Sequence, residues 1–252
     1  MSNSIVSSSA KLGQNTSHGE FCVFGDNVTV GDGCVIGHGV KIHADSVIGD
    51  NVRIDDNAVI GKFPMKAANS AVTKEQILEG AAIASNCIIG TNVVIYRGCR
   101  IGGKVLVADL ATVRENVSVG EFTIVGRGVT IENFCEIGRY CKLESNVYLC
   151  AYSKLEDRVF VAPCAATSND NYMGRSKERF KHFKGVTVLK GGRIGVNATI
   201  LPGKTIGADS QVAGGALVTR DTPAKKIVAG APAREWRDVA AEQLLENQDW
   251  PE

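Results

Sequence analysis

From Ile83 to Val161 an isoleucine, valine or leucine stands at every sixth position without a break. The same beat runs through Phe24, Val30, Ile36, Ile42, Ile48, Ile54 and Ile60, and it returns from Val188 to Val218. In all, 26 of 27 slots hold one of these three residues, far more than their share of the composition allows by chance. Six residues make a short strand and a turn, and such a unit cannot bury its own aliphatic side chain, so units must stack. Three units per coil give a triangular prism that repeats every 18 residues, with coils one strand spacing apart, about 4.8 Å. Slots 18 apart then form columns: Ile95, Val113, Ile131 and Leu149 on one face, Ile101, Val119, Ile137 and Leu155 on the next, and Val107, Val125, Leu143 and Val161 on the third. Counted this way, about nine coils fit.

Length and charge bound the rest. At 252 residues and a formal net charge of +1, the chain has no charge excess that would recruit nucleic acid or a membrane surface. No apolar run approaches the ~20 residues of a membrane span, and the serine-rich start lacks the basic and apolar regions of a signal peptide, so a cytoplasmic location is expected. Six of the eight cysteines (Cys22, Cys34, Cys87, Cys99, Cys135 and Cys141) fall two residues before a slot. Elsewhere that position holds small residues, so these thiols read as small inward-facing hydrophobes rather than metal ligands or disulfides.

The beat slips twice. Between Ile60 and Ile83 the spacing is 23, with an insertion over about 62–82 in which Thr73 and Gln76 form a possible capping box for a short helix ending at Gly80. Between Val161 and Val188 it is 27, ejecting a loop over about 168–187. Long loops on a rigid scaffold tend to carry function. After Val218 the period ends, and a polar segment over 235–247 is expected to form a helix that caps the open end of the prism. The domain division is thus 1–234 for the prism and 235–252 for the C-terminal segment.

The pairs Ile36-Gly37, Ile48-Gly49, Ile89-Gly90, Ile101-Gly102 and Ile137-Gly138 repeat an aliphatic-Gly-x4 pattern that resembles the hexapeptide-repeat family. That resemblance implies an all-β, left-handed parallel β-helix. The hand comes from the resemblance alone, since the general rule for parallel crossovers is right-handed. Ile200-Leu-Pro-Gly203, Val212-Ala-Gly-Gly215 and Gly230-Ala-Pro-Ala-Arg234 look like the closing coils of hexapeptide-repeat acyltransferases. The likeness implies acyl-CoA as co-substrate, no metal, and homotrimers with sites between subunits. Gly214, Gly215 and Ala216 would let a pantetheine arm lie along bare backbone, and Lys190, Arg193, Lys225 and Arg234 are candidate partners for the CoA phosphates.

Thr167-Ser-Asn-Asp-Asn-Tyr-Met-Gly-Arg175, with Ala108-Asp-Leu-Ala-Thr-Val-Arg-Glu115 and Ile131-Glu-Asn133, is similar to nucleotide-linked amino-sugar N-acyltransferases. These act on dTDP- or UDP-bound 3-amino or 4-amino sugars for surface polysaccharides, including lipopolysaccharide. The resemblance implies Asp109 and Glu115 as the acids that meet the sugar amine. It also implies Asn133, Asn169, Asn171, Tyr172, Arg175 and Phe183 on the substrate side; the loop's own basic residues suit a nucleotide diphosphate, and its Tyr172, Phe180 or Phe183 can stack on the base. Glu115, Asn133, Ala151 and Asn169 share one column, but Glu115 and Asn169 are three coils, about 14 Å, apart. A neighbouring subunit or the loop must close that gap. The expected reaction is attack of the amine on the thioester, with a carboxylate holding the amine, a backbone N–H holding the oxyanion, and the CoA thiolate taking the final proton.

Three other readings remain open from sequence. His38 and His43, with His18 one coil earlier, raise a γ-class carbonic-anhydrase-like metal site, which would need three histidines. A hexapeptide O-acyltransferase using a histidine base, with His182 in the ejected loop, is the second. A non-enzymatic scaffold is the third, and it leaves the two insertions unexplained.

Overall fold

The computed structural model describes residues 3–70 and 76–249. Its strands are almost all two residues long, each ending on a slot residue that points inward while the residue before it points out. They stack in register into three parallel sheets of 11, 10 and 12 strands, which we call faces A, B and C. The registers Val113↔Ile131, Val119↔Ile137 and Val125↔Leu143 reproduce the 18-residue columns on faces A, B and C in turn. The fold is the left-handed parallel β-helix that the aliphatic-Gly pattern implied. It has more coils than nine, because Val6, Leu12 and His18 hold slots one coil before Phe24 and Val228 holds one at the far end.

The interior is a single apolar column in which Ile42, Ile60, Ile95, Ile131 and Leu143 are each at most 1% exposed. Full burial of such a side chain contributes roughly 1.5–3 kcal/mol. Turns are built by repeated left-handed residues, among them Asn51, Asn57, Asn86, Asn92 and Asn116 with φ near +60°. Asparagine tolerates that conformation better than most side chains. The inward cysteines are buried, and their thiols do more than fill space. The Sγ–H of Cys22, Cys34, Cys87, Cys99, Cys135 and Cys141 each donates to a carbonyl one coil further on, at 2.9–3.1 Å. Thr16 and Thr123 make the same bond with their hydroxyls. The position therefore selects small side chains that carry a donor. Burial pushes the thiols of Cys99 and Cys135 up to about 12, which removes their nucleophilicity.

One expectation of helix changes. Over 235–247 the chain forms a strand, Arg234–Asp238, antiparallel to Lys226–Ala229, then two single 3₁₀ turns, Ala241–Gln243 and Leu245–Asn247. The edge of face C pairs with this strand, so the capping role is met by a hairpin, and Leu244 buries against Ile227 and Val239. The capping box at Thr73 begins in residues 71–75, outside the described residues, and the described stretch 76–80 is not helical.

The cysteine environments yield a count. Of the eight thiols only Cys164 is exposed, so a colorimetric thiol reagent should titrate one per native chain and eight after denaturation. Ile131→Ala, at the centre of the column, should cost about 2–5 kcal/mol, read as a lowered midpoint in denaturant unfolding.

Candidate functional site

Both insertions leave the prism at the same edge. The first departs after Val59–Lys62 on face A and rejoins at Ala82–Ile83 on face B. The second departs after Ala166–Thr167 on face A and rejoins at Thr187–Val188 on face B. Four coils lie between them on face A, so the insertions stand about 24 Å apart along the axis. Each is anchored. Arg97, only 5% exposed, donates to the carbonyls of Leu78 (3.0 Å) and Ala44 (2.7 Å), pairs with Asp45 and lies over the Phe63 ring. In the second insertion the Asp170 carboxylate accepts from the N–H groups of Tyr172 and Gly174 and from Arg179, and a 3₁₀ turn follows at Lys177–Lys181.

The A/B edge between the insertions carries the polar residues that the prism interior lacks. Glu115 and Asn133, on successive coils, are fully buried. Arg114 holds both oxygens of Glu115, with Nε to Oε2 at 2.9 Å and Nη2 to Oε1 at 3.1 Å, and its Nη1 reaches Glu132 at 3.2 Å. The guanidinium also lies over the buried ring of Tyr96, 5.1 Å from its centroid. Burial works against the Arg114 charge, but its bonds to Glu115 and the charges of Glu115 and Glu132 outweigh that, and the guanidinium's pKa is raised. For Glu132, burial pushes the carboxyl above its usual range; Glu115 adds to this and Arg114 opposes it. Burial, helped by the charge of Glu132, pushes the Tyr148 hydroxyl up to about 12. Both polar atoms of the Asn133 side chain are buried without a partner within the chain, a cost of roughly 1–3 kcal/mol that the corner carries.

The residues singled out from sequence divide among the three edges. Glu115, Asn133 and Asn169 follow face A slots and share the A/B edge, with Asn169 at the base of the second insertion, where its carbonyl accepts from the Lys184 N–H. Asn171, Tyr172 and Arg175 are exposed on that loop, and Phe183 is half-buried against Phe180. Asp109 is on the C/A edge, where its Oδ1 accepts from the Thr91 N–H at 2.8 Å. Asp32, Asp50, Asp56 and Asp157 bond the preceding coil in the same way. Gly214 and Gly215 also lie on the C/A edge; a side chain at Gly215 would meet nothing within 4 Å, while Ala216 is an inward corner residue. Lys190 and Lys225 lie along the B/C edge, Lys225 bonded to Glu246, and Arg193, the outward residue of the adjoining face C strand, is bonded to Gln243. Arg234 begins the antiparallel strand. One chain therefore places Glu115 on one edge with Asn133 on the next coil and Asn169 three coils away, but not with Asp109 or the cation set. Sequence reasoning passed over Arg114, Glu132 and Tyr96. Their signal was available: three bulky polar residues in the position after the slot, at 18-residue spacing, on one face.

Among the described residues no group of three His, Cys, Asp or Glu side chains is arranged to hold a metal. His18 fills a slot, its ring 5.3 Å from Phe24. No helix among those residues is long and apolar enough to cross a membrane. The raised pKa of Glu132 favours the protonated fold, so the ionised carboxylate lowers stability as pH rises through its folded value. Glu132→Gln should therefore gain thermal stability over wild type near neutral pH, and the gain should disappear below about pH 4, the unfolded value.

The chain matches two family models. The one described as GMPPB C-terminal domain matches residues 33–126 and 71–171, and the bacterial transferase hexapeptide (six repeats) model matches residues 9–44. Among solved structures, a UDP-N-acetylglucosamine acyltransferase from Arabidopsis aligns with 97% of this chain and 75% of its own at 17% identity, with a TM-score of 0.54, a likeness of fold. A GDP-perosamine N-acetyltransferase from Caulobacter crescentus, in complex with CoA and GDP-perosamine, aligns over 58% of this chain and 54% of its own at 24% identity and a TM-score of 0.37. A 2,3,4,5-tetrahydropyridine-2,6-dicarboxylate N-acetyltransferase from Staphylococcus aureus is 54% identical over 41 residues, 16% of this chain. The chain thus spans only 17% of the length of that curated relative. The GMPPB C-terminal domain model spans residues 33–171, more than half of the chain, so this protein belongs to that family, and over residues 9–44 it also carries the bacterial transferase hexapeptide repeat.

Proposed function

We propose that the protein transfers an acyl group, acetyl in the simplest case, from acyl-CoA to the amine of a nucleotide-linked amino sugar, dTDP- or UDP-bound, for surface polysaccharide synthesis in the cytoplasm. The observation that carries the reading is the buried Glu115–Arg114–Glu132 arrangement on the one edge that both insertions frame. A regular coil gains no stability from ejecting a loop or burying a carboxylate there, whereas an amine substrate needs an acid held in a dry, shaped place.

The division of labour follows from exposure. The side chain of Glu115 is 0% exposed and both its oxygens are held by Arg114, so it fixes the guanidinium. The side chain of Glu132 is 21% exposed, which makes it the carboxylate an incoming amine can meet. The amine nitrogen forms the N–C bond, the C–S bond of the thioester breaks, and the surplus amine proton passes to Glu132 and then to the departing thiolate, whose ordinary pKa is about 8.5. Asp109 is occupied by a turn on another edge, so the reading rests on Glu115 and Glu132.

A homotrimer supports the same reading. The outward residues of six consecutive coils on face A are Val59, Val94, Thr112, Thr130, Tyr148 and Ala166, without a charge, and face C presents Ile88, Leu106 and Ile124. Face B presents Arg100, Glu136 and Lys154 instead. A closed three-fold ring needs two complementary faces per copy. Packing face A of one copy on face C of the next sets the A/B edge of the first beside the B/C edge of the second. Lys190, Arg193 and Lys225 of the partner subunit would then meet the CoA phosphates beside Glu132, which one chain cannot arrange. The basic residues Arg175, Lys177 and Lys184 of the second insertion, outside the ion pairs of Arg179 and Lys181, suit a diphosphate.

The test is acyl transfer from acetyl-CoA to a panel of dTDP- and UDP-linked amino sugars, with product mass as readout. Wild type should give one N-acylated product, and Glu132→Gln should lower kcat about 10²-fold. Unchanged transfer in both Glu115→Gln and Glu132→Gln would remove the site assignment, and no product from any sugar of the panel would remove the reading.

A further inference from the structure

The left-handed turn position of the A/B edge forms its own column: Gly98, Asn116, Phe134 and Tyr152. The rings of Phe134 and Tyr152 stack nearly parallel, 5.4 Å between centroids and 3° between planes. The corresponding column on the B/C edge is an aromatic pair as well, Phe122 on Tyr140 at 4.8 Å and 7°, but it is closed at both ends by cations. Lys104 lies 4.7 Å over Phe122 and Arg158 4.7 Å over Tyr140. The A/B pair has no such closure below Tyr152, which is 40% exposed, and among the described residues no second ring or cation lies against it.

The gap below Tyr152 is enforced by backbone. The next turn residues down this edge are glycines, Gly185 and then Gly203. A Cβ on Gly185 would collide with the carbonyl group of Tyr152, and Gly203 has φ +70°. The alkyl chain of Lys184 lies against Gly203, at the far end of that gap. The aromatic residues of the second insertion already have partners in one another: Tyr172 stacks on His182 at 5.7 Å, and Phe180 meets Phe183 edge to face at 5.9 Å.

We infer that the open face of Tyr152 takes the base of a nucleotide as the next rung of the Phe134–Tyr152 stack, with Lys184 beside its phosphates. The inference rests on the nucleotide-linked acceptor proposed above, and it moves the base from the loop aromatics to the prism edge. Stacking of a base on an aromatic side chain is worth roughly 1–3 kcal/mol, so loss of the ring should weaken nucleotide binding about tenfold.

The experiment measures binding of UMP, dTMP and GMP, and of CoA, to the full-length protein, and KM for whichever nucleotide-linked sugar is acylated. Tyr152→Leu, which keeps bulk without a π face, should weaken the nucleotide that wild type binds, and raise KM for the sugar, about tenfold. Tyr152→Phe should retain both, and CoA binding should be the same in all three. A nuclear Overhauser effect between base protons and the Tyr152 ring, a contact no structural role would create, should appear in wild type. If Tyr152→Leu binds nucleotide and turns over sugar like wild type, the inference falls while the acceptor reading stands. If no nucleotide-linked sugar is acylated but a free nucleotide binds and Tyr152→Leu loses it, the acceptor reading falls and the base subsite stands. If wild type binds no nucleotide, the inference falls.

Discussion

In-register stacking of parallel coils is the constraint on which everything else in this molecule depends. A two-residue strand has no stability of its own, and its N–H and C=O groups are satisfied only by the coils before and after it, as in the Thr112 N–H to Val129 carbonyl and Thr130 N–H to Val147 carbonyl bonds. The register is kept over some eleven coils, with one shift between Ile60 and Lys62 where the first insertion departs, because one slot per strand must point inward, and a slip of one residue would turn that slot to solvent. The corners follow the same rule. A donor of small size caps a carbonyl of the next coil, and an aspartate in the turn accepts an N–H from the coil before it. Asp109 belongs to that second set.

A scaffold so regular makes its exceptions informative. The interior accepts aliphatic side chains and small donors, so a buried carboxylate such as Glu115 must bring its own counter-ion, which Arg114 supplies. Removing one partner would leave a buried charge, which is why the pair reads as one unit with Glu132 attached. The same edge holds the orphaned amide of Asn133 and the departure points of both insertions. Arg97 ties the first insertion to the edge and Asp170 braces the second from within, so the loops are built structures rather than slack in the chain.

Much of this is legible in the sequence. The 18-residue columns, the inward cysteines and the shared column of Glu115, Asn133 and Asn169 follow from counting, because strand pairing converts sequence period directly into spatial neighbours. One helix expected from local signals did not follow. Over 235–247 the amphipathic hint lost to an unpaired sheet edge at Lys226–Ala229, which a strand satisfies and a helix does not. The column of Arg114 and Glu132 is legible in the sequence, but their pairing is not, for a different reason. Sequence gives the column of a residue, whereas the direction of a long side chain along that column depends on its neighbours.

The sequence by itself determined the prism, its faces, its spacing and the places where the repeat breaks, since all of these are consequences of period and of the need to bury one aliphatic residue in six. Only the tertiary structure decided which edge those breaks share, which acid is sealed and which remains reachable. Period fixes a residue's position modulo 18. Burial, counter-ion choice and the meeting of distant loops depend on what the other coils place beside it.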